Sequence, residues 1–227
     1  PRFHSISGLL QRADARVRQR PFRSPNHSIS DAGLIGGGAV PRPGKVSLAH
    51  KGVLFLDELP EFKKNLLEML RQPLEDGRVS ISRAAQSLTF PASFMLVAAM
   101  NPCPCAYLGD PQHPCRCTPL ALQRYRSRLS GPLLDRIDLQ VEVPRVSYQQ
   151  LAGGAEPEAS AIIRARVETA RQRQQQRLAS YGLHTNSQMQ ERHLSRFWAL
   201  YEEGHRLVPQ VTDRMGMSSL SPVPFLQ

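Results

Sequence analysis

The chain has 227 residues, 41% of them hydrophobic, which is enough to bury one α/β core and a small helical region. No apolar stretch approaches the roughly 20 residues that a membrane-spanning helix needs, and the first residues do not resemble a signal peptide; we therefore expect a cytoplasmic protein without a membrane partner. The net charge of +10, from 29 Lys and Arg against 19 Asp and Glu, favours a polyanionic partner such as DNA.

The segment from Ser28 to His50 is rich in glycine and proline, a composition that predicts turns and loops. Arg42 and Lys45 are basic residues of this segment that are available for contacts with a nucleic-acid phosphate backbone, and such contacts would make binding depend on salt. The alternative is that the glycines and prolines only build connecting turns.

Two carboxylates follow a short strand that is predicted from Val53 to Leu56. Its four apolar residues without alternation are typical of a strand buried on both faces of a parallel sheet. Asp57 would then lie at the carboxyl end of the strand, where open α/β sheets bind ligands. An acid in this position can hold Mg²⁺ against nucleotide phosphates, and the adjacent Glu58 can polarise an attacking water. The alternative is a strand that ends in two solvated acids.

A helix and a hairpin are predicted after the two acids. Pro60 suits the first turn of a helix, and apolar residues then recur at helical spacing. They are Phe62, Leu66, Leu67, Leu70 and Leu74. Alternating residues and turn signals predict a β-hairpin between residues 77 and 91. Arg78 and Arg83 make this hairpin a second candidate surface for nucleic acid.

A second buried strand is predicted from Phe94 to Ala99, and it is followed by Met100, Asn101 and Pro102. The amide of Asn101 is suited to hydrogen-bond a nucleophilic water or an oxygen of the γ-phosphate. The alternative is that Asn101, which precedes a proline, is only a turn residue.

The four cysteines form two pairs, Cys103 with Cys105 and Cys115 with Cys117, on either side of nine residues. A reducing cytosol disfavours disulfides, whereas four thiolates that a loop brings together satisfy tetrahedral Zn²⁺. One intervening residue makes a tighter chelate than Cys-x-x-Cys and is less diagnostic. The pattern predicts a structural zinc site with His113 as a reserve ligand, and the alternative is a group of free buried thiols.

Arg136 follows Leu-Leu-Asp and precedes an apolar strand that is predicted from Ile137 to Val143. A guanidinium is always charged, so it can neutralise the charge that develops on a transferring phosphoryl group. The alternative is a surface ion pair with Asp135 or Asp138.

Further arginines accompany these motifs. Arg124, Arg126 and Arg128 are alternative candidates for intersubunit or phosphate contacts. Because they are spaced two residues apart, they do not lie on a single helix face. A helix is predicted from Ala159 to Ser180, with arginines among glutamines that form either a solvated face or a nucleic-acid contact.

Several ordered motifs resemble those of one protein family. They are Pro-Phe-Arg-Ser-Pro-Asn-His-Ser at residues 21–28, Leu-Ile-Gly-Gly-Gly at 34–38, Pro-Arg-Pro-Gly at 41–44 and Gly-Pro-Leu-Leu-Asp-Arg-Ile-Asp-Leu at 131–139. Through these motifs, residues 3 to 195 resemble the magnesium chelatase-like AAA+ ATPases of the YifB/ComM type.

The resemblance implies an α/β fold, an incomplete AAA+ P-loop NTPase-type parallel sheet with helices on both faces, followed by a partial helical lid. It implies a core at residues 1–146 that includes the Cys-x-Cys loop at 103–117. A partial lid with a divergent tail would occupy residues 147–227. In this family, the region of residues 28–50 holds an insertion that projects toward the central pore of a ring.

The resemblance also implies roles for single residues. Asp57 and Glu58 would be the Walker B pair that binds ATP and Mg²⁺, and Asn101 would be the sensor 1 residue. Arg136 would be the arginine finger that enters the nucleotide site of the neighbouring subunit. The complete protein would then be a homo-oligomeric ring, expected to be a hexamer.

The sequence is expected to depart from the family pattern in two respects. The resemblance fades beyond about Phe197, where residues 217–224 lack the arginine-bearing helix of sensor 2, and the P-loop motif is missing. No Gly-x-x-x-x-Gly-Lys-Ser/Thr occurs in these 227 residues, and the glycines at 36–38 cannot replace it because no Lys-Ser or Lys-Thr follows them. We therefore expect a fragment that lacks the P-loop and the family's Lon protease-like N-terminal domain, and that is inactive alone.

Three functions follow from these considerations. The first is an ATP-driven ring motor on DNA that promotes branch migration in recombination or transformation. The second is a magnesium chelatase-like subunit for metal insertion into a tetrapyrrole, and the third is a non-catalytic binding fragment. The Cys-x-Cys loop and the motif at residues 21–28 favour the first.

Overall fold

The computed structural model describes residues 19–38, 41–83, 86–146, 158–189, 192, 193 and 197. The chain divides into two compact units, Pro1–Asp138 and Leu139–Gln227. In chain order, the described helices and strands are β1 (Phe22–Arg23), α1 (Asp31–Leu34), β2 (Gly36–Gly37), β3 (Arg42–Pro43), α2 (Lys45–Leu48), β4 (Val53–Leu56), α3 (Lys64–Met69), α4 (Arg71–Asp76), β5 (Arg78–Arg83), β6 (Gln86–Pro91), β7 (Met95–Ala98), α5 (Pro119–Arg126), α6 (Gly131–Leu134) and α7 (Ser160–Leu178).

The first unit contains a three-stranded parallel sheet in the order β1-β4-β7. Val53 in the middle strand pairs with Phe22 on one side and with Met95 on the other. The pairing continues to Leu56 and Ala98, so β4 and β7 end level with one another. Helices and a parallel sheet in one unit confirm the predicted α/β class, consistent with an incomplete AAA+ fold.

Gly52 allows β1 and β4 to approach each other. The amide of Val53 donates a 2.8 Å hydrogen bond to the carbonyl of Pro21, just before β1 begins. A Cβ atom at residue 52 would overlap that carbonyl oxygen, so a side chain at this position would push the two strands apart. The glycine therefore fixes the start of the strand that leads to the two acids.

One face of the sheet packs into the core. Leu54 and Leu56 of β4 are fully buried, and they belong to a cluster with fully buried leucines of the following helices. These leucines are Leu66, Leu67 and Leu70. On the opposite face, Phe22 and Met95 are 59% and 58% exposed, so the described residues bury only one side of the sheet.

The helix predicted from Pro60 onward is divided into three pieces. A 3₁₀ turn at Leu59–Glu61 precedes α3, and α3 is separated from α4 at Leu70. Pro73 explains the second division, because it has no amide proton to donate to the preceding turn of a continuous helix. It lies instead in the first turn of α4, where its missing N–H needs no partner.

The segment before β4 is more ordered than its composition predicts. The side chain of Ser30 caps α1 by accepting a 3.1 Å hydrogen bond from the amide of Gly33. Leu34, just before β2 in sequence, and Val46, just after β3, are both fully buried in the core. Within residues 30–50, the described parts therefore pack against the sheet as well as forming turns.

The predicted hairpin is confirmed, and the predicted strand from Ile137 to Val143 is wrong. Strands β5 and β6 pair antiparallel, with Val79 and Ile81 buried against the core. Residues 137–146 form no strand, and Leu139, Val141 and Val143 are each about 80% exposed. An apolar alternation needs a hydrogen-bonding neighbour to become a strand, and no described strand pairs with this segment.

The second unit contains the predicted arginine-rich helix, α7, followed by short 3₁₀ turns at Ala179–Tyr181 and Asn186–Gln188. Most of α7 is exposed, and Arg166 forms an ion pair of 3.0 Å with Glu158. Among the residues that the structure describes, no helix combines the length and the apolar character required to cross a membrane.

Candidate functional site

Three loops meet at the carboxyl ends of the parallel strands. The loop after β1 and the acids after β4 line a cleft of about 220 Å³. Its lining consists of Ser24, Pro25, Asn26, His27, Asp57 and Glu58. Asn101 lies three residues beyond β7 at the same edge of the sheet, is exposed, and does not belong to this lining. The edge is the place where open α/β sheets bind ligands.

A tight turn carries the two acids. The amide of Leu59 donates a 2.9 Å hydrogen bond to the carbonyl of Ala99, so the end of β7 fixes this turn. The amide of Glu58 donates to Oδ1 of Asp57 at 2.9 Å. Glu58 has a φ of 52°, in the left-handed region that costs a side-chain-bearing residue about 1–3 kcal/mol and recurs at functional sites. The strained position keeps the Glu58 side chain 56% exposed beside the cleft.

His27 is a member of the site that the sequence analysis did not assign. Its Nε2 lies 3.7 Å from Oε2 of Glu58, and its ring packs edge-on against Phe62 with 6.4 Å between ring centroids. A histidine in this place can orient the Glu58 carboxylate by hydrogen bonding or, when protonated, by charge. Its contact with Glu58 depends on β1 lying beside β4, which no local pattern in the sequence predicts.

Arg136 lies in the first unit, where it is engaged within its own chain. Its guanidinium forms an ion pair with Glu75 near the end of α4, and Nη1 donates a 3.0 Å hydrogen bond to the carbonyl of Pro132. The partner is therefore neither Asp135 nor Asp138, the two acids next to it in sequence. The side chain is 22% exposed, and its Nε is buried without a hydrogen-bond partner among the described residues.

Three of the four basic residues proposed from sequence for nucleic acid are exposed. Arg42 in β3 and Lys45 at the start of α2 are exposed. Arg78, at the start of β5, is exposed as well. Arg83 ends β5, and its side chain lies outside the part of the chain that the structure describes. Arg42, Lys45 and Arg78 are thus accessible to a polyanion.

The four cysteines form one cluster, with all four Sγ atoms within 4.8 Å of one another. Cys103 Sγ lies 3.4 Å from Cys105 and 3.7 Å from Cys115, and the last two are 3.6 Å apart. These separations are too long for disulfides, whose bond is about 2.05 Å. Ligands that surround zinc tetrahedrally at about 2.3 Å are about 3.8 Å apart. The cluster therefore has the dimensions of a four-thiolate zinc site.

Backbone amides surround this cluster. Amides of Tyr107 and Arg116 hydrogen-bond to the sulfur of Cys105 and lower the pKa of its thiol to about 6. Burial raises the pKa of Cys117 to about 12. Amide donors favour the thiolate form that ligates metals, and a bound cation would favour it at the other sulfurs. His113 is outside the cluster, and its Nδ1 lies 3.6 Å from Oδ1 of Asp110.

Comparison with known proteins connects this arrangement to a family. The family model "Magnesium chelatase, subunit ChlI" matches residues 1–151, and the model of the C-terminal part of that subunit matches residues 157–221. Three relatives illustrate the similarity. The uncharacterized protein YifB of Salmonella typhimurium is 42% identical over 204 residues, which cover 89% of this chain and 39% of the relative.

The uncharacterized protein YifB of Escherichia coli is 52% identical over 158 residues, or 69% of this chain and 31% of the relative. The competence protein ComM of Haemophilus influenzae is 48% identical over 176 residues, or 77% of this chain and 34% of the relative. The chain thus spans between 31% and 39% of the length of these relatives. It belongs to the magnesium chelatase-like family, as the sequence motifs predict.

Proposed function

We propose that this chain supplies the metal-binding and water-activating side of an ATPase site. The observation that carries the proposal is the delivery of Asp57 and Glu58 to the carboxyl edge of a parallel sheet, where they line one cleft. Asn101 follows the neighbouring strand at the same edge. Each of the three residues has a different task in the proposed chemistry.

Asp57 is the proposed ligand of the Mg²⁺ that accompanies ATP, because carboxylate oxygens are the ligands that this hard cation takes. When bound, the metal neutralises charge on the phosphates during transfer. Glu58 is exposed at the cleft and beside His27, and it is the proposed group that polarises the attacking water. The amide of Asn101 is proposed to hydrogen-bond that water or the γ-phosphate.

Arg136 is proposed to act in trans, on the nucleotide of a neighbouring subunit in a homo-oligomeric ring, with a hexamer as the expected state. Its guanidinium already binds one carboxylate, that of Glu75. A phosphate presents comparable acceptor oxygens, so the arginine could exchange one anion for the other when a neighbouring subunit arrives.

One Zn²⁺ is proposed to be held by Cys103, Cys105, Cys115 and Cys117 in a closed structural site. The separations among Cys103, Cys105 and Cys115 support this proposal, because 3.4–3.7 Å is close to the edge of a tetrahedron around zinc, and the Cys117 sulfur lies within 4.8 Å of the other three. The site would fix the loop that leaves Asn101.

For the substrate, we propose that the assembled ring acts on DNA, with branch migration during recombination or transformation as the task. The support is the similarity to the competence protein ComM, the net charge of +10, and the exposure of Arg42 and Lys45. The family model's description, a magnesium chelatase subunit, favours a second candidate, which is metal insertion into a tetrapyrrole.

DNA dependence tests this proposal in the complete gene product, of which these 227 residues are all or part. We expect a four-way DNA junction to raise the rate of ATP hydrolysis. We also expect branch migration to separate the junction into duplex products. Changing both Arg42 and Lys45 to Gln should reduce the slope of log affinity against log salt by up to about 2, one for each lost phosphate contact.

The control removes the same charge at Lys63 and Lys64, which are exposed near the start of α3 and should leave the slope unchanged. Equal slopes for both variants would refute the assignment of Arg42 and Lys45. A rate of ATP hydrolysis that is the same with and without DNA, together with ATP-dependent insertion of Mg²⁺ into a porphyrin, would favour the second candidate.

A further inference from the structure

Two side chains of one helical turn connect the loops that carry the candidate catalytic residues. The first loop is the acid turn, residues 57–61, and the second is the Asn101 loop, residues 99–102. The phenol of Tyr125 donates a 3.1 Å hydrogen bond to the carbonyl of Asn101. Nη1 of Arg128 donates to the carbonyl of Pro60 at 2.8 Å and to Oε2 of Glu61 at 2.9 Å.

The spacing of the two side chains explains how one segment reaches both loops. Tyr125 is in the last turn of α5, and the amide of Arg128 bonds to the Tyr125 carbonyl at 3.3 Å, so the helical course continues to Arg128. Residues three apart on such a course lie on the same side. One rigid segment therefore contacts the ends of two neighbouring strands, β4 and β7.

The Asn101 loop needs such support because the sheet ladder ends before it. Its last described backbone bonds to β4 and to the acid turn join Ala99 to Leu56 at 3.0 Å and to Leu59 at 2.9 Å. Beyond Ala99, Tyr125 holds the loop at Asn101 itself, and the fully buried Cys103 anchors it in the sulfur cluster two residues later. The carbonyl of Asn101 thus has a fixed position, and its exposed amide extends from a fixed backbone.

Tyr125 is suited to a constant role in this contact. Its residue surface is only 8% exposed, and burial, followed by the negative charge of Glu61, raises the pKa of its phenol above the ordinary value. The hydroxyl therefore keeps its proton throughout the physiological range and remains a donor.

We propose that Tyr125 and Arg128 are positioning residues, which hold the acid turn and the Asn101 loop at a fixed separation. This inference rests on the proposed ATPase function. Displacing a water-orienting amide by about 1 Å can lower the rate of hydrolysis by up to about 100-fold. The affinity for the nucleotide depends little on the position of that amide. Loss of either contact should therefore lower kcat and leave KM nearly unchanged.

The test is Tyr125→Phe in the complete gene product, which removes one hydroxyl and keeps the ring. We expect kcat for ATP to fall by about tenfold, with KM and nucleotide affinity unchanged. In a protein that already carries Asn101→Ala, the same change should have no further effect, because Tyr125 acts through Asn101. The matched control is Tyr181→Phe in the second unit, which should leave kcat unchanged.

Two outcomes would overturn the inference while the ATPase function stands, with Glu58→Gln inactive as the reference. One is a full kcat in Tyr125→Phe. The other is an equal fractional loss in the wild-type and Asn101→Ala backgrounds, which would indicate a general effect on folding. If Tyr125→Phe does not fold, Arg128→Met provides the second variant, since methionine keeps an unbranched apolar stem and has no N–H to donate to Pro60 or Glu61.

For Arg128→Met, we expect a several-fold lower kcat at unchanged KM, and an unchanged kcat in this folded variant would also overturn the inference. If Glu58→Gln itself hydrolyses ATP at the wild-type rate, the proposed function fails first and this inference falls with it.

Discussion

Arg136→Ala in the complete gene product is expected to lower ATP turnover by about 10³-fold or more, the scale attributed to arginine fingers. The affinity for ATP should remain nearly unchanged. The physical reason is that the guanidinium would contribute its charge only as the phosphoryl group transfers, so the ground-state complex loses little. Steady-state turnover and equilibrium nucleotide binding, measured on the same preparation, check both parts.

The ion pair with Glu75 provides the control for this experiment. If Arg136 served only to hold α4 through that pair, Glu75→Gln would reproduce the effect of Arg136→Ala. We expect Glu75→Gln to retain most of the turnover instead, since it leaves the guanidinium in place. Equal losses in the two variants would identify Arg136 as a structural residue.

Mixing experiments decide between action in cis and in trans. Subunits with Arg136→Ala and subunits with Glu58→Gln each keep one intact half of the proposed site. Mixed rings should recover activity at interfaces where an intact Arg136 meets an intact Glu58. Mixed rings that form but show no recovery would contradict the assignment in trans.

Loss of the zinc site is expected to have the largest effect on stability. Metal-replete protein should contain one zinc per chain, and Cys103→Ser should reduce that content and lower Tm by roughly 10 °C, as for a loss of about 4 kcal/mol. The reason is that Cys103 is fully buried and adjoins two other sulfurs, so no water can replace its thiolate easily. Elemental analysis and thermal unfolding measure the two effects.

His113→Ala is the control for the zinc prediction. His113 contacts Asp110 and lies outside the sulfur cluster, so its removal should leave the zinc content at one per chain. Metal-replete protein without zinc would refute the proposal, as would a Cys103→Ser variant that binds zinc as the wild type does.

The parts of the site that short-range patterns encode could be predicted from the sequence. Val53–Leu56 is an apolar run that is followed by two acids, a pattern typical of a buried parallel strand. The location of Asp57 and Glu58 at the carboxyl end of this strand could therefore be predicted. The clustering of the four cysteines followed in the same way from their paired spacing. In each case, the residues that matter are close in sequence or end adjacent strands.

Contacts between distant segments could not be predicted in this way. The Glu75 partner of Arg136 is 61 residues earlier, and Arg128 reaches back 67 residues to Glu61. Nothing in the local pattern distinguishes these acids from the adjacent Asp135 and Asp138. The contact between His27 and Glu58 likewise depends on the order of strands in the sheet.

The wrong strand prediction has the same origin. Alternation from Ile137 to Val143 is a property of the segment alone, whereas a strand is a property of two segments that exchange hydrogen bonds. No described strand lies in register with this segment, so its apolar side chains remain exposed. The division of the helix after Pro60 has a different origin. Pro73 is a local sequence signal for a helix break, and the prediction of one helix from Pro60 onward did not use it.

The most direct test of the proposed ATPase site is hydrolysis by Glu58→Gln in the complete gene product, with nucleotide binding measured in parallel. If Glu58 polarises the attacking water, turnover falls by at least about 10²-fold while ATP and Mg²⁺ remain bound. The exposed Glu168 of α7 provides the matched control, and Glu168→Gln should hydrolyse ATP at the wild-type rate. Wild-type turnover in Glu58→Gln would contradict the assignment of the cleft at the carboxyl edge of the sheet as the ATPase site.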